Sequence, residues 1–363
     1  MMSLMSFDPK KPYNGLPLLP PNFNFDDVDI LKMLNIANMA LARLSGLAMS
    51  LPNRELLIES LTVREAVASS GIENINTTVE EVFQASLMDI PDISKAQKET
   101  LFYKDSLLAG YKIIQSQGFL NTNSFLEIQS VLEPDKTGIR RIPVSIKNSS
   151  TGQVLYTPPM GEDLLRSFLK NYEDYYNNIE NDIDVLIKMA ILHYQFEAIH
   201  PFLDGNGRTG RILMVLYLVL AKRLGMPILF ISGYINENRT EYYRLLRDVT
   251  VNNNWKDWTL YMLKAVEAQS INTLETVIKI RDLMSEFRER MAKELPKINK
   301  AELIEYLFSQ PFYTQRQMAR SLNLNKNTVL KYMKLLEEKG FIKVLTSRKE
   351  NIYFSEKFIE IIK

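Results

Sequence analysis

Apolar residues recur at helical spacing along most of the chain. Between Asp26 and Leu51, Ile30, Leu31, Leu34, Ile36, Met39, Leu41 and Leu44 form a broad stripe, which predicts a helix capped by Asp26 or Asp27. The helical pattern continues from Asn53 to about Ser69, where Ser69-Ser70-Gly71 interrupts it. It resumes from Val79 to Gln117, breaks at Gly118 and returns as a short helix before Leu132. From Glu162 to about Lys264 further helices are expected, with Asp163, Asp184, Asn236 and Asn254 as starts. A long charged helix from roughly Val266 to Leu295 then meets Pro296, a natural boundary. The longest uncharged apolar run, Ile212 to Ala221, is about half the length of a membrane span and reads as a buried helix.

Three stretches depart from this pattern. Residues 9–23, PKKPYNGLPLLPPNF, hold too much proline for a helix interior and read as an extended arm on the body. In IPVSIKNSSTGQVLYTPP, from Ile142, β-branched residues flank a polar NSSTG, the signature of a hairpin that Pro158-Pro159 ends. Beyond Pro296 a helix, a short helix, a tight turn, a second helix closed by Gly340 and a strand pair read as a winged helix-turn-helix, with Met318, Leu322, Val329, Met333 and Leu336 as core. The fold class is therefore mainly α, and no internal repeat is present.

Composition narrows the chemistry. The chain has 363 residues, 46% of them hydrophobic, enough for two or three cored domains. With no cysteine it has neither disulfides nor thiolate chemistry, and with no apolar leader pattern at its start the expected location is the cytoplasm, away from membranes. The net charge of +1 hides an asymmetry: residues 296–363 carry 13 Lys/Arg against 7 Asp/Glu, a hint of nucleic acid contact.

The densest chemistry lies in HPFLDGNGRTGR, His200 to Arg211, which contains one of only two histidines. Gly205-Asn206-Gly207 stand between a non-helical Pro201-Phe202-Leu203 and an apolar helix expected from about Thr209. Such a turn aims backbone N–H groups and a helix dipole at one spot, which suits an anion. Arg208 and Arg211 share a helix face and add two guanidinium forks, more donors than a single phosphate requires. Asp204 would repel phosphate unless a cation intervenes, so it reads as the one protein ligand of a Mg²⁺ shared with phosphate oxygens. His200 then reads as a neutral base beside the phosphates. The P-loop spacing and a GxGxxG after a strand are both absent, which argues against Walker ATPases and dinucleotide oxidoreductases. The combination specifies phosphoryl or nucleotidyl transfer. His193, seven positions before His200, lacks zinc-pair spacing and reads as structural.

The stretch is similar to the Fic family motif H-P-F-x-[DE]-G-N-G-R-x-x-R and matches every defined position. A lysine replacing Gly207, the mark of the phosphotransferase branch, is absent. The resemblance implies a Fic-type helical bundle with a β-hairpin flap, an N-terminal helical region (1–100), a catalytic core (101–290) and the winged-helix module (296–363). It implies transfer of AMP from ATP, with Mg²⁺, to a Tyr, Thr or Ser hydroxyl of a protein. His200 would deprotonate that hydroxyl, Asp204 would hold Mg²⁺ and Phe202 would anchor the loop. Asn206 with the Gly205 and Gly207 amides would hold the α- and β-phosphates, Arg208, Thr209 and Gly210 would complete the nest, and Arg211 would reach the γ-phosphate.

SGYINENRTEYYRLL resembles the family's nucleoside-binding region, with Tyr243, or Tyr242, against adenine. SSGIEN matches the inhibitory pattern [ST]-x-x-x-E-[GN] through Ser69, Glu73 and Asn74, so Glu73 would pair with Arg211 and block the γ-phosphate. Val154, Leu155 and Tyr156 are the expected flap contacts, offering a strand edge to the target. The target's identity stays open, self-modification and a homodimer included. The competing expectation is a nucleotide-sensing, DNA-binding regulator acting through residues 296–363, where Lys326, Lys331 and Lys334 lie on the second helix.

Overall fold

The computed structural model describes residues 7–50, 55–87, 92–148, 151–179, 182–346 and 350–363. Ser149 and Ser150, at the tip of the expected hairpin, lie outside them. In chain order the elements are α1 (Val28–Ser50), α2 (Glu55–Ile72), α3 (Val79–Ala85), α4 (Lys95–Gln117), α5 (Thr122–Leu132), β1 (Ile146–Lys147), β2 (Val154–Tyr156), α6 (Glu162–Asn177), α7 (Val185–Ile199) and α8 (Asn206–Leu220). There follow α9 (Ser232–Glu237), α10 (Arg239–Asn252), α11 (Trp255–Glu294), α12 (Ala301–Ser309), β3 (Phe312–Thr314), α13 (Gln315–Ser321), α14 (Lys326–Glu338), β4 (Lys343–Leu345), β5 (Ile352–Phe354) and α15 (Glu356–Ile362). The molecule is mainly helical, as expected. No helix among the described residues is long and apolar enough to cross a membrane.

Local chemistry explains most boundaries. Asp27 caps α1, its carboxylate accepting from the amides of Asp29 (2.9 Å) and Ile30 (3.3 Å). Asp184 does the same for α7 through Leu186 (2.8 Å). Asn254 accepts from the Asp257 amide (3.3 Å) at the start of α11.

Other boundaries differ from the sequence reading. α2 runs through Ser69-Ser70-Gly71 and ends at Ile72, because Asn74 takes the left-handed conformation (φ 61°) that closes it. α6 is preceded by Gly161, so Asp163 lies inside its first turn; Asn236 lies within α9 rather than starting a helix. The charged helix starts eleven residues earlier than expected, as α11 is continuous from Trp255. On α1, Ile30, Leu41 and Leu44 are buried, while Leu31, Ile36 and Met39 face solvent.

The described residues form two compact units. The first comprises Met1–Ala42, Phe102–Pro227 and Ile231–Ser270. Its centre is the pair α7 and α8, whose side chains are almost all buried, including Ile191, Phe196, Ile212 and Leu216. Phe125, Tyr172 and Tyr176 pack edge to face around them. The proline-rich arm lies on this unit: the Leu19 amide donates to Asn171 (2.8 Å), and Gln195 donates to the Pro17 carbonyl (2.9 Å). The hairpin also forms, with Ile146 paired to Tyr156 in an antiparallel ladder.

The second unit comprises Arg43–Leu101, Ile228–Phe230 and Ile271–Lys363. Within it α2 packs against α3, α12 and α15. The expected helix, turn, helix and strand pair are present, with Met318, Val329, Met333 and Leu336 buried and Leu322 only partly so. Thr314 and Gln317 form a capping box at α13, and Asn325 caps α14. Two short elements were not anticipated, β3, which joins the sheet in the order β3-β5-β4, and the closing helix α15.

Gly210 sets the spacing of α7 and α8. A Cβ there would overlap the Glu197 carboxylate and press on Phe196 Cδ1 at 3.2 Å and His193 Nδ1 at 3.3 Å. Gly210→Ala is expected to cost about 1–3 kcal/mol of stability, the usual price of overpacking a filled core. A urea midpoint equal to wild type would contradict that.

Candidate active site

α7 ends at Ile199, and His200 follows as its cap in the left-handed conformation (φ 48°, ψ 58°), its amide still bonded to the Phe196 carbonyl (2.9 Å). That twist turns the chain out of the helix and into Pro201-Phe202-Leu203-Asp204. Phe202 is fully buried and anchors the loop. Asn206 staples it: the Phe202 amide donates to Asn206 Oδ1 and Asn206 Nδ2 donates to the Phe202 carbonyl, both at 2.8 Å. The Asn206 carboxamide is thus committed to the loop's own backbone.

Gly205 caps α8 at φ 78°, and a Cβ on it would come within 3.0 Å of Glu133 and 3.2 Å of Leu132. The helix starts at Asn206, three residues before the expected Thr209. Helix geometry leaves its first-turn amides, Gly207 among them, directed along the axis toward the loop. Thr209 and Gly210 are buried, Gly210 against α7. Arg211 is almost fully buried at 1% exposure.

Three residues that the sequence reading missed support this loop. Arg140, itself buried, donates from Nε to the His200 carbonyl (2.8 Å), from Nη1 to Ile142 (3.4 Å) and from Nη2 to Pro159 at the foot of the hairpin. Its amide bonds the Pro201 carbonyl (3.0 Å). Lys136 forms a close ion pair with Asp204, and Glu133 a close one with the buried Arg208. Burial pushes the Asp204 carboxyl up, but hydrogen bonds from Lys136 and the Gly205 amide outweigh it, so its pKa lies below the ordinary carboxylate value. Only the basic run Lys136 to Arg141 hinted at this support, and nothing in its spacing said what it touches.

Residues of β2, α7 and α10 line a cavity of about 120 Å³. Leu155, Tyr156, Ala198 and Tyr243 line it. Tyr156 donates to the Ala198 carbonyl (2.8 Å), and burial holds its phenol well above the usual pKa, hence protonated. Tyr243 is half exposed at the cavity, whereas Tyr242 is core, bonded to His193 (2.8 Å) and packed on Trp258. Val154 lies in β2 and is half-buried. Ser69 and Glu73 belong to the second unit, Ser69 buried in α2 and Glu73 exposed just beyond its end. Among the described residues no group of three or more His, Cys, Asp or Glu side chains forms a metal cage.

Three stretches of the sequence match known families. Residues 31–112 match the Fic/DOC family N-terminal region and residues 119–218 the Fic/DOC family itself, while residues 283–358 match the C-terminal domain of SoFic-like protein adenylyltransferases. The chain belongs to the Fic/DOC family.

Among relatives, protein adenylyltransferase fic-1 of Caenorhabditis elegans is 33% identical over 130 residues, 35% of this chain and 24% of the relative. A probable protein adenylyltransferase of Aquifex aeolicus is 43% identical over 72 residues, 19% of each chain. The Drosophila willistoni protein adenylyltransferase Fic is 34% identical over 90 residues, so these matches span a quarter or less of the relatives' length. In structure, a Fic family protein from Desulfovibrio desulfuricans superposes with a TM-score of 0.60 over 93% of this chain and 98% of its own, at 19% identity. Residues 134–508 of C. elegans Fic-1 give 0.52 over 68% and 71%, at 21% identity. At such identities the likeness establishes the Fic fold.

His193 separates structure from chemistry in this Fic domain. Burial, then the nearby Arg211 charge, lowers its pKa from 6.5 to about 3, so it stays neutral in the fold and protonates in the unfolded chain. Its contribution is full above pH 6.5 and is lost as pH falls toward about 3. His193→Gln is expected to flatten the acid side of the stability curve by on the order of a few kcal/mol. Urea titrations at stepped pH read this; equal slopes in both proteins would refute it.

Proposed function

We propose that this chain transfers AMP from ATP to a hydroxyl side chain of a protein, Tyr, Thr or Ser, with His200 as the base. The observation that carries the reading is the junction of His200 with the amino end of α8: a histidine turned out of its helix, then a stapled loop, then first-turn amides and Arg208. The names of the relatives support it.

The triphosphate lies against the Gly205, Asn206 and Gly207 amides, the Gly205 amide exchanging its bond to Asp204 (2.8 Å) for a phosphate oxygen and the Asn206 side chain acting through the loop it closes. Arg208, held by Glu133, stiffens the nest, and Arg211 meets the γ-phosphate. Thr209 and Gly210 support from behind, since both are buried. Tyr243 lines the cavity in which adenine rests, and Val154, Leu155 and Tyr156 offer the strand edge on which the target pairs. His200 takes the hydroxyl proton as the oxygen attacks the α-phosphorus; the bond to the bridging oxygen breaks, and pyrophosphate leaves with its electrons.

Asp204 fits a Mg²⁺ ion that needs one carboxylate and phosphate oxygens, being half exposed, ionised and paired with a displaceable Lys136. Bound there, the ion would neutralise phosphate charge. Glu73, following α2, acts as an inhibitory carboxylate toward Arg211. Residues 101–290 form the catalytic core between the helical region 1–100 and the module 296–363.

A second reading draws on α14, where Lys326, Lys331 and Lys334 are all exposed: DNA binding by a nucleotide-sensing regulator without catalysis. Incubation with labelled ATP separates the two. Label at the α-phosphate should pass to protein, the enzyme itself included, and label at the γ-phosphate should not. His200→Ala should reduce labelling at least 10²-fold, the usual scale for a lost general base, and Glu73→Gly should raise it. Salt-dependent gel shifts without any α-label transfer would favour the regulator instead.

A further inference from the structure

A second concavity, of about 590 Å³, lies in the first unit on the outer side of the catalytic loop. Its apolar lining includes Ile139, Ile142 and Leu203, and the last two are 56% and 44% exposed. Around them stand Lys136, Arg141 and Arg166, with side chains 46%, 80% and 53% exposed. Four cations and two carboxylates line the groove, a balance of +2, and counting Asp204, which draws Lys136, still leaves +1. Glu162 is shared by Arg141 (2.9 Å) and Arg166 (2.7 Å), so one carboxylate holds two guanidinium groups in place.

The groove is mechanically part of the site. A β-bridge joins Ile139 to Phe202, Leu203 precedes Asp204, and Arg140 in its wall bonds the His200 carbonyl. A chain lying there runs alongside the loop that carries the base. Apolar patches ringed by exposed guanidinium groups suit a peptide that alternates apolar and acidic side chains.

We infer that this groove selects the protein target, taking an acidic segment of it next to the hydroxyl that is modified. The inference rests on the proposed AMP transfer, and it supplies the selectivity that main-chain pairing on the flap lacks.

The test is fluorescence anisotropy with the full chain and labelled peptides of about twelve residues, without ATP. Each carries one Tyr among apolar residues and either Glu, Gln or Lys neighbours. The Glu peptide should bind about tenfold more tightly than the Gln peptide at low salt, and this margin should shrink at about 0.5 M salt. An R141E/R166E double variant should lose that margin and come to favour the Lys peptide. Glu162→Gln should tighten the Glu peptide by releasing both arginines, a gain that misfolding does not produce. Equal binding of Glu and Gln peptides, an unchanged margin in the double variant, or full displacement of the Glu peptide by equimolar inorganic pyrophosphate would overturn the inference. Adding labelled ATP then separates the two ideas: a Glu preference without transfer rejects the proposed activity, and transfer without the preference rejects the groove.

Discussion

The left-handed turn at His200 is the constraint on which the site depends. A residue with a Cβ pays roughly 1–3 kcal/mol to adopt it, and the surroundings must hold it there. Three sets of bonds do so: the His200 amide still closes α7, Arg140 clamps its carbonyl, and Asn206 fixes Phe202 two residues on. Because Arg140 also bonds Pro159, the foot of the hairpin and His200 are held by one guanidinium. Lysine, with a single nitrogen, does not span three carbonyls in this way.

The same economy governs the charges. Arg208 and Arg211 are almost fully buried, which is unfavourable unless opposite charge or strong acceptors compensate. Glu133, projecting from the end of α5, meets Arg208, and the neutrality of His193 spares the interior a further positive charge beside Arg211. At the loop itself Asp204 stays ionised, because Lys136 and the Gly205 amide outweigh its burial. Glu133 and Glu162 offset the repulsion among the cations, Glu133 at Arg208 and Glu162 between Arg141 and Arg166.

Much of this was legible because it is local. His200 to Arg211 is one unbroken stretch, so its turn and helix start could be read from neighbours, and the expected start of α8 missed by only one turn. Capping by Asp27 and Asp184 and the hairpin around the NSSTG stretch were equally short-range. Arg140, Lys136 and Glu133 were illegible for the opposite reason: they reach His200, Asp204 and Arg208 from 60, 68 and 75 residues away, and a basic run carries no mark of its distant partner. β3 has three residues, too few for alternation to register, and Ser69-Ser70-Gly71 looked like a break because serine and glycine propensities are weak priors against tertiary packing. On α1 periodicity alone overstated the buried face, leaving Leu31, Ile36 and Met39 outside.

What the catalytic loop separates also follows from its geometry. Ala198, two residues before His200, lines the aromatic cavity under the hairpin, and Leu203, three residues after it, lines the cationic groove. The left-handed residue at the end of α7 falls between those two positions, so residues on either side of it serve different surfaces. The first is lined mainly by apolar and aromatic side chains; the second carries an excess of positive charge. Under the proposed function a nucleotide and a protein segment need different kinds of surface, and a loop flanked by both would bring the two reactants together.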